Sequence, residues 1–286
     1  MSYATLSETE WAQVSRVWDL LDESEVAQAR ATVDALLRAR PGHPDVRIVE
    51  AAVCLDEGEP GRALETLQSA ERSADPALLF YLRAVARFEL VHFEQARDDA
   101  LSAVTVTPDL AEAHELLARI YEYLGQPEHA LKHTAEARAI DAVAFAPPLE
   151  ISDQEFQALV EESQDLVETF FKEKLKEVPD HLHRQFSEAL DTPVLVVELP
   201  WREILTAEDP PLPPDLLGLF VGRSLLDRSH LDLPGVPEAI YLFRRNLLRC
   251  CADREELARE VRTTVQHELG HLLGFDEGDL EDLGLG

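Results

Sequence analysis

In the stretch HELGHLLGFDEGDLEDLGLG (residues 267–286), His267 and His271 stand four residues apart, with Glu268 between them and several acids downstream. On a helix that spacing is one turn, so the two rings share a face about 6 Å apart along the axis. Two imidazoles so placed can both reach one zinc ion at ~2.0 Å. The carboxylate of Glu268 can then hold a metal-bound water and take its proton as general base, which is the chemistry of metal-assisted hydrolysis. Composition alone would produce on the order of 0.04 such H-E-x-x-H matches in a chain of this size. A zinc centre also needs a third protein ligand. Gly274, three residues past His271, can reverse the chain at the helix end and bring Glu277 back; Asp276 and Asp279 are the alternatives.

The element that must present these groups is legible around them. DREELAREVRTTVQHELGHLLG predicts a helix with Asp253 as N-cap and Gly274 at its end. Leu257, Val261, Val265, Leu269 and Leu272 form one apolar stripe for a core, and Thr264, His267 and His271 lie beside it. Upstream, TPVLVVELP (192–200), LLGLFVGRSLL (216–226) and EAIYLFRRNLL (238–248) read as strands, with the proline-rich loop EDPPLPPD at 208–215. Ser152, Asp153 and Glu155 look like the start of a further helix. Residues 149–286 therefore read as an α+β domain, separated by AFAPPLE (144–150) from what precedes it.

The first half is built differently. Ala63, Ala96 and Ala130 recur at spacings of 33 and 34, as do Ala70, Ala103 and Ala137, and Pro44, Pro76 and Pro108 recur at 32. Three segments, 44–75, 76–107 and 108–141, each read as two amphipathic helices with a short polar turn, and alanines stand where helices must approach closely. Leu117-Ala118, Tyr121, Leu124-Gly125, Ala130 and Ala137 give the third segment a resemblance to the tetratricopeptide repeat. An earlier helical pair, about 7–21 and 24–40, caps the stack or forms a degenerate fourth unit. Residues 1–148 are thus expected to be an all-α helical-repeat domain that recruits a protein partner or substrate.

The blocks LLGLFVG, VPEAIYLFRRNLL and VRTTVQHELGHLLGFDEGDLEDLGL resemble, in order, a family of small bacterial zincin-like metallopeptidases with a minimal zincin fold. The resemblance spans about 155–285. It implies a short mixed sheet packed on helices and zinc held by His267, His271 and an acid. It also implies a strand edge beside the metal that pairs with an extended peptide; 219–225 and 239–245 both qualify. The spacing is similar to the extended metzincin pattern, with Glu277 replacing the third histidine, but a Met-turn is excluded because the sole methionine is Met1. Tyr241, Arg244 and Arg245 are candidates for stabilising an oxyanion. The expectation is a zinc-dependent metallopeptidase. The alternative is a repeat scaffold that holds zinc structurally or binds peptides without cutting them.

Composition narrows the partners. A net charge of −30, spread over both halves, disfavours nucleic acid and anionic membrane surfaces. No apolar run reaches the ~18 residues of a membrane span. The N-terminal residues lack the pattern of a secretory signal, and Cys54, Cys250 and Cys251 form no disulfide framework, so a cytoplasmic location is expected. Cys250 and Cys251 read as small apolar residues between a strand and the last helix. His129 and His133 read as a solvated helix face, and His181 and His183 as a loop or helix end. Arg83, Arg87 and Arg119 read as partners of nearby acids.

Overall fold

A computed structural model of the chain describes residues 5–70, 75–175, 190–223, 230–231, 235–273 and 278. The chain divides into two compact units, Met1–Ala146 and Pro147–Gly286.

The first unit is four helical hairpins: α1 (Glu8–Asp22) with α2 (Val26–Ala39), α3 (Pro44–Asp56) with α4 (Pro60–Gln68), α5 (Pro76–Glu89) with α6 (Phe93–Val106), and α7 (Ala111–Tyr123) with α8 (Pro127–Ile140). Ser7 and Glu10 close a capping box at the start of α1. Proline opens α3, α4, α5 and α8 at a position that needs no N–H. The predicted small residues Ala63, Ala70, Ala96, Ala103, Ala130 and Ala137 are all buried. Each hairpin turns on one left-handed residue: Ser24 (φ 59°), Gly58 (φ 71°), Val91 (φ 61°) and Gly125 (φ 66°). Directly after each of them, the N–H of Glu25, Glu59, His92 or Gln126 donates 2.8 Å back to Leu20, Cys54, Arg87 or Tyr121. That is the six-residue closure of a Schellman cap. The α1–α2 pair shares it and is a full unit of the array.

The second unit begins with α9 (Asp153–Leu175), whose N-terminus is capped as predicted: Ser152 Oγ accepts from Glu155 N at 3.2 Å, and Ser152 N donates to the Glu155 carboxylate at 3.1 Å. There follow β1 (Val194–Val197), the single turn α10 (Arg202–Leu205), β2 (Gly218–Arg223), β3 (His230–Leu231), β4 (Ala239–Phe243), α11 (Arg244–Cys250) and α12 (Arg254–Leu273). The sheet order is β1-β4-β2-β3; β1 is parallel to β4, and β2 is antiparallel to both β4 and β3. Phe156, Leu159, Val160 and Val167 of α9 share a core with Phe220, Ile240 and Leu242 of the sheet. Leu257, Val261, Val265, Leu269 and Leu272, the predicted stripe of α12, are buried in the same core.

The expected strand over 238–248 is corrected here. It ends at Phe243, and Arg244–Cys250 is helix. Asn246 explains the break: its buried amide donates to the carbonyls of Pro214 (2.9 Å) and Leu216 (2.7 Å), which holds the proline-rich loop against α11. The strand expected over 192–200 is confined to Val194–Val197, the one expected over 216–226 starts only at Gly218 and its residues 224–226 lie outside the described residues, and β3 was not expected.

A serine pays a steric cost in the left-handed region that glycine does not. Ser24→Gly should therefore raise stability by about 0.5–1 kcal/mol, seen as a higher midpoint in urea unfolding.

Candidate metal centre

Asp253 Oδ1 accepts from the N–H groups of Glu255 (2.8 Å) and Glu256 (2.9 Å), which starts α12 where the sequence placed it. About four turns further on, past the buried Leu257, Val261 and Val265, the helix reaches the motif. His267 and His271 are half-buried, with rings 4.6 Å apart and nearly perpendicular and their Nε2 atoms 3.0 Å apart. Two nitrogens bonded to a tetrahedral zinc at about 2.05 Å would lie ~3.3 Å from each other. The pair converges as one metal would require, and an imidazole pair suits zinc. Gly274, Asp276, Glu277 and Asp279 lie outside the described residues.

Glu268 is only 7% exposed. Its Oε2 accepts from the backbone N–H of Phe220 on β2 at 2.6 Å. The strand register explains why that N–H is available. Phe243 N donates to Leu217 O at 2.9 Å, so residues 217, 219 and 221 face β4 with their backbone groups. Phe220 points the other way. β3 pairs only with Gly222 and Arg223, so the outer side of β2 from Gly218 to Val221 carries no strand among the described residues. Of the two edges proposed from sequence, 239–245 is ruled out because β4 lies between β1 and β2.

The remaining candidates are occupied elsewhere. Tyr241 is buried and donates to Pro237 O at 3.1 Å; burial raises its phenol above the usual range. Arg244 donates to Ile151 O at 2.7 Å, lies 3.3 Å from Asp153 and 3.5 Å from Glu198, and covers the Phe156 ring. Arg245 donates to Glu198 at 2.9 Å. Arg83 and Arg87 both grip the buried Asp99, and Arg119 lies over the Phe88 ring at 4.8 Å. Cys251 is buried and its thiol is pushed up to about 12, whereas Cys250 is exposed, contrary to expectation. His181 and His183 lie outside the described residues.

Residues 190–286 match the family described as Zincin-like metallopeptidase. That match contains the sheet, α12 and the histidine pair. No curated protein matches the chain. Among solved structures, "Crystal structure of MamA" aligns at 16% identity and a TM-score of 0.38, covering 56% of this chain and 85% of that one. A Pseudomonas aeruginosa PilF structure aligns at 18% and 0.42, covering 58% and 70%. The type IV pilus biogenesis factor PilW aligns at 11% and 0.34, covering 63% and 99%.

One histidine pair escaped the sequence reading. His133 is not solvated: its Nδ1 lies 2.9 Å from Nδ1 of the buried His114, whose Nε2 lies 3.0 Å from Pro108 O. A carbonyl demands a donor, so His114 carries its proton on Nε2 and His133 donates through Nδ1. Burial, then the neighbouring His114 and Lys132, lower His133 to about 4, with Glu136 opposing and His129 adding to the shift. The folded state thus favours the neutral ring. This contribution is intact above the ordinary histidine value of 6.5 and is lost as pH falls from there towards about 4. Thermal unfolding of the full chain should show a larger drop in Tm between pH 7 and pH 5 than the His133→Gln variant shows.

Proposed function

We propose that the chain is a cytoplasmic zinc-dependent metallopeptidase, with residues 149–286 as the peptidase domain and 1–148 as the repeat domain that recruits a protein partner or substrate. One observation carries the reading: a buried glutamate is fixed at a stretch of β2 that carries no outer strand among the described residues, on the same helical turn as two histidines whose Nε2 atoms converge to 3.0 Å. The match of residues 190–286 to a zincin-like family supports it. The four hairpins support a protein-binding role for the first unit, since stacked repeats build extended recognition surfaces. No described helix is long and apolar enough to cross a membrane.

In this reading His267 and His271 hold zinc, with Glu277 as third ligand and Asp276 as the alternative. Zinc, when bound, supplies a Lewis acid that polarises a carbonyl and acidifies water. Glu268 acts as general base, removing a proton from the attacking water and delivering it to the leaving amine. Its burial excludes bulk water from the carboxylate and strengthens its interaction with that proton. The substrate is an extended peptide. With the Phe220 N–H holding Glu268, the outward carbonyl of Phe220 and the outward backbone groups of Gly218 can pair with its main chain whatever its side chains, as strand addition does. The net charge of −30 disfavours nucleic acid and anionic membranes as partners.

Glu268→Gln should lower kcat/KM on a cleaved peptide by at least ~10²-fold while zinc content after dialysis stays at the wild-type level. His271→Ala should lose both zinc and activity. Equal cleavage by wild type and Glu268→Gln would contradict the proposed mechanism.

A further inference from the structure

We propose that Gly218 and Thr264 are positioning residues: their contact is a spacer that sets where the Glu268 carboxylate sits against β2. Thr264 and Glu268 are four residues apart on α12, a rise of about 6 Å. Gly218 and Phe220 are two apart on β2, a rise of about 6.6 Å. The two repeats nearly match, so the helix runs along the strand in register. Thr264 meets Gly218, and one turn later Glu268 meets the Phe220 N–H at 2.6 Å.

The first of these contacts tolerates no side chain on the strand. A Cβ at Gly218 would overlap the Thr264 methyl and lie 3.1 Å from the carbonyl oxygen of Tyr241. Gly218, unlike Gly58 or Gly125, has no left-handed φ, so its requirement is for space alone. Thr264 is buried, and its methyl fills that space. With the helix held at this distance, a carboxylate can reach the strand backbone. A wider separation leaves the Phe220 N–H and a buried charge without each other, and a looser one lets the carboxylate wander. The importance of the position for catalysis rests on the general-base role proposed above; the spacing itself does not.

The test reads the Phe220 amide by NMR in the full-length, metal-free chain, so hydrolysis does not enter the readout. In the wild type this amide should be shifted downfield and protected from exchange although it lies on a strand edge. Gly218→Ala should accelerate its exchange by about tenfold and move it upfield. Gly218→Ala/Thr264→Ser, which removes the colliding methyl, should restore both. Thr264→Ala, a change that favours the helix, should raise exchange severalfold, and the isosteric Thr264→Val should leave it unchanged. These two variants decide the matter should Gly218→Ala not fold. An unaltered Phe220 amide in Thr264→Ala, or a folded Gly218→Ala that the second change fails to rescue, overturns the proposal. A chain that never cleaves a peptide but shows this pattern would overturn the peptidase reading and leave the spacer standing.

Discussion

A carboxylate buried as deeply as Glu268 is stable in charged form only if a donor replaces the water it has lost. Here the donor is a main-chain N–H, and sheet geometry decides where such a group can be found. An interior strand has both sides paired. β2 has one side against β4 and, over Gly218–Val221, no strand on the other among the described residues. The alternation of an antiparallel ladder then turns Phe220 outward. The helix must lie beside that edge and in register with it. The core formed by Leu257, Val261, Val265, Leu269 and Leu272 fixes the rotation of α12, and once that face is buried His267 and His271 have no choice of direction.

The same rigidity explains why the surrounding charges sit where they do. Arg244 and Arg245 follow directly on β4, near enough in sequence to the sheet to look catalytic, yet they tie Ile151, Asp153 and Glu198 together. They secure the entry of α9 and the exit of β1, two elements flanking the core on which α12 rests. In the first unit, Arg83 and Arg87 likewise neutralise the buried Asp99, joining the two helices of the α5–α6 hairpin. In a chain of net charge −30, such cations are needed where acids are buried.

Much of this was legible in the sequence, and what was missed has physical causes. Helical periods, alanine spacings and first-turn prolines reveal the hairpins because each reports a local requirement. The left-handed turn at Ser24 hides the first hairpin's kinship, since serine does not announce that conformation as Gly58 and Gly125 do. EAIYLFRRNLL offers apolar residues compatible with either period, and only the tertiary grip of Asn246 on the Pro214 and Leu216 carbonyls shows where strand becomes helix. His114 and His133 are 19 residues apart and meet because α7 packs on α8. The partner of Glu268 is a backbone N–H, which no side-chain pattern can signal; Gly218 was the one trace, a glycine inside an apolar strand, which marks a close approach.

The account stands on His267 and His271 forming a metal seat on α12. X-ray absorption at the zinc edge of the zinc-loaded full chain tests that most directly. The result expected is a first shell of nitrogen and oxygen only, with multiple-scattering features of two imidazoles that fall to one in His271→Ala. A sulfur shell at ~2.3 Å, or imidazole features unchanged by that substitution, would place the metal elsewhere and contradict the account.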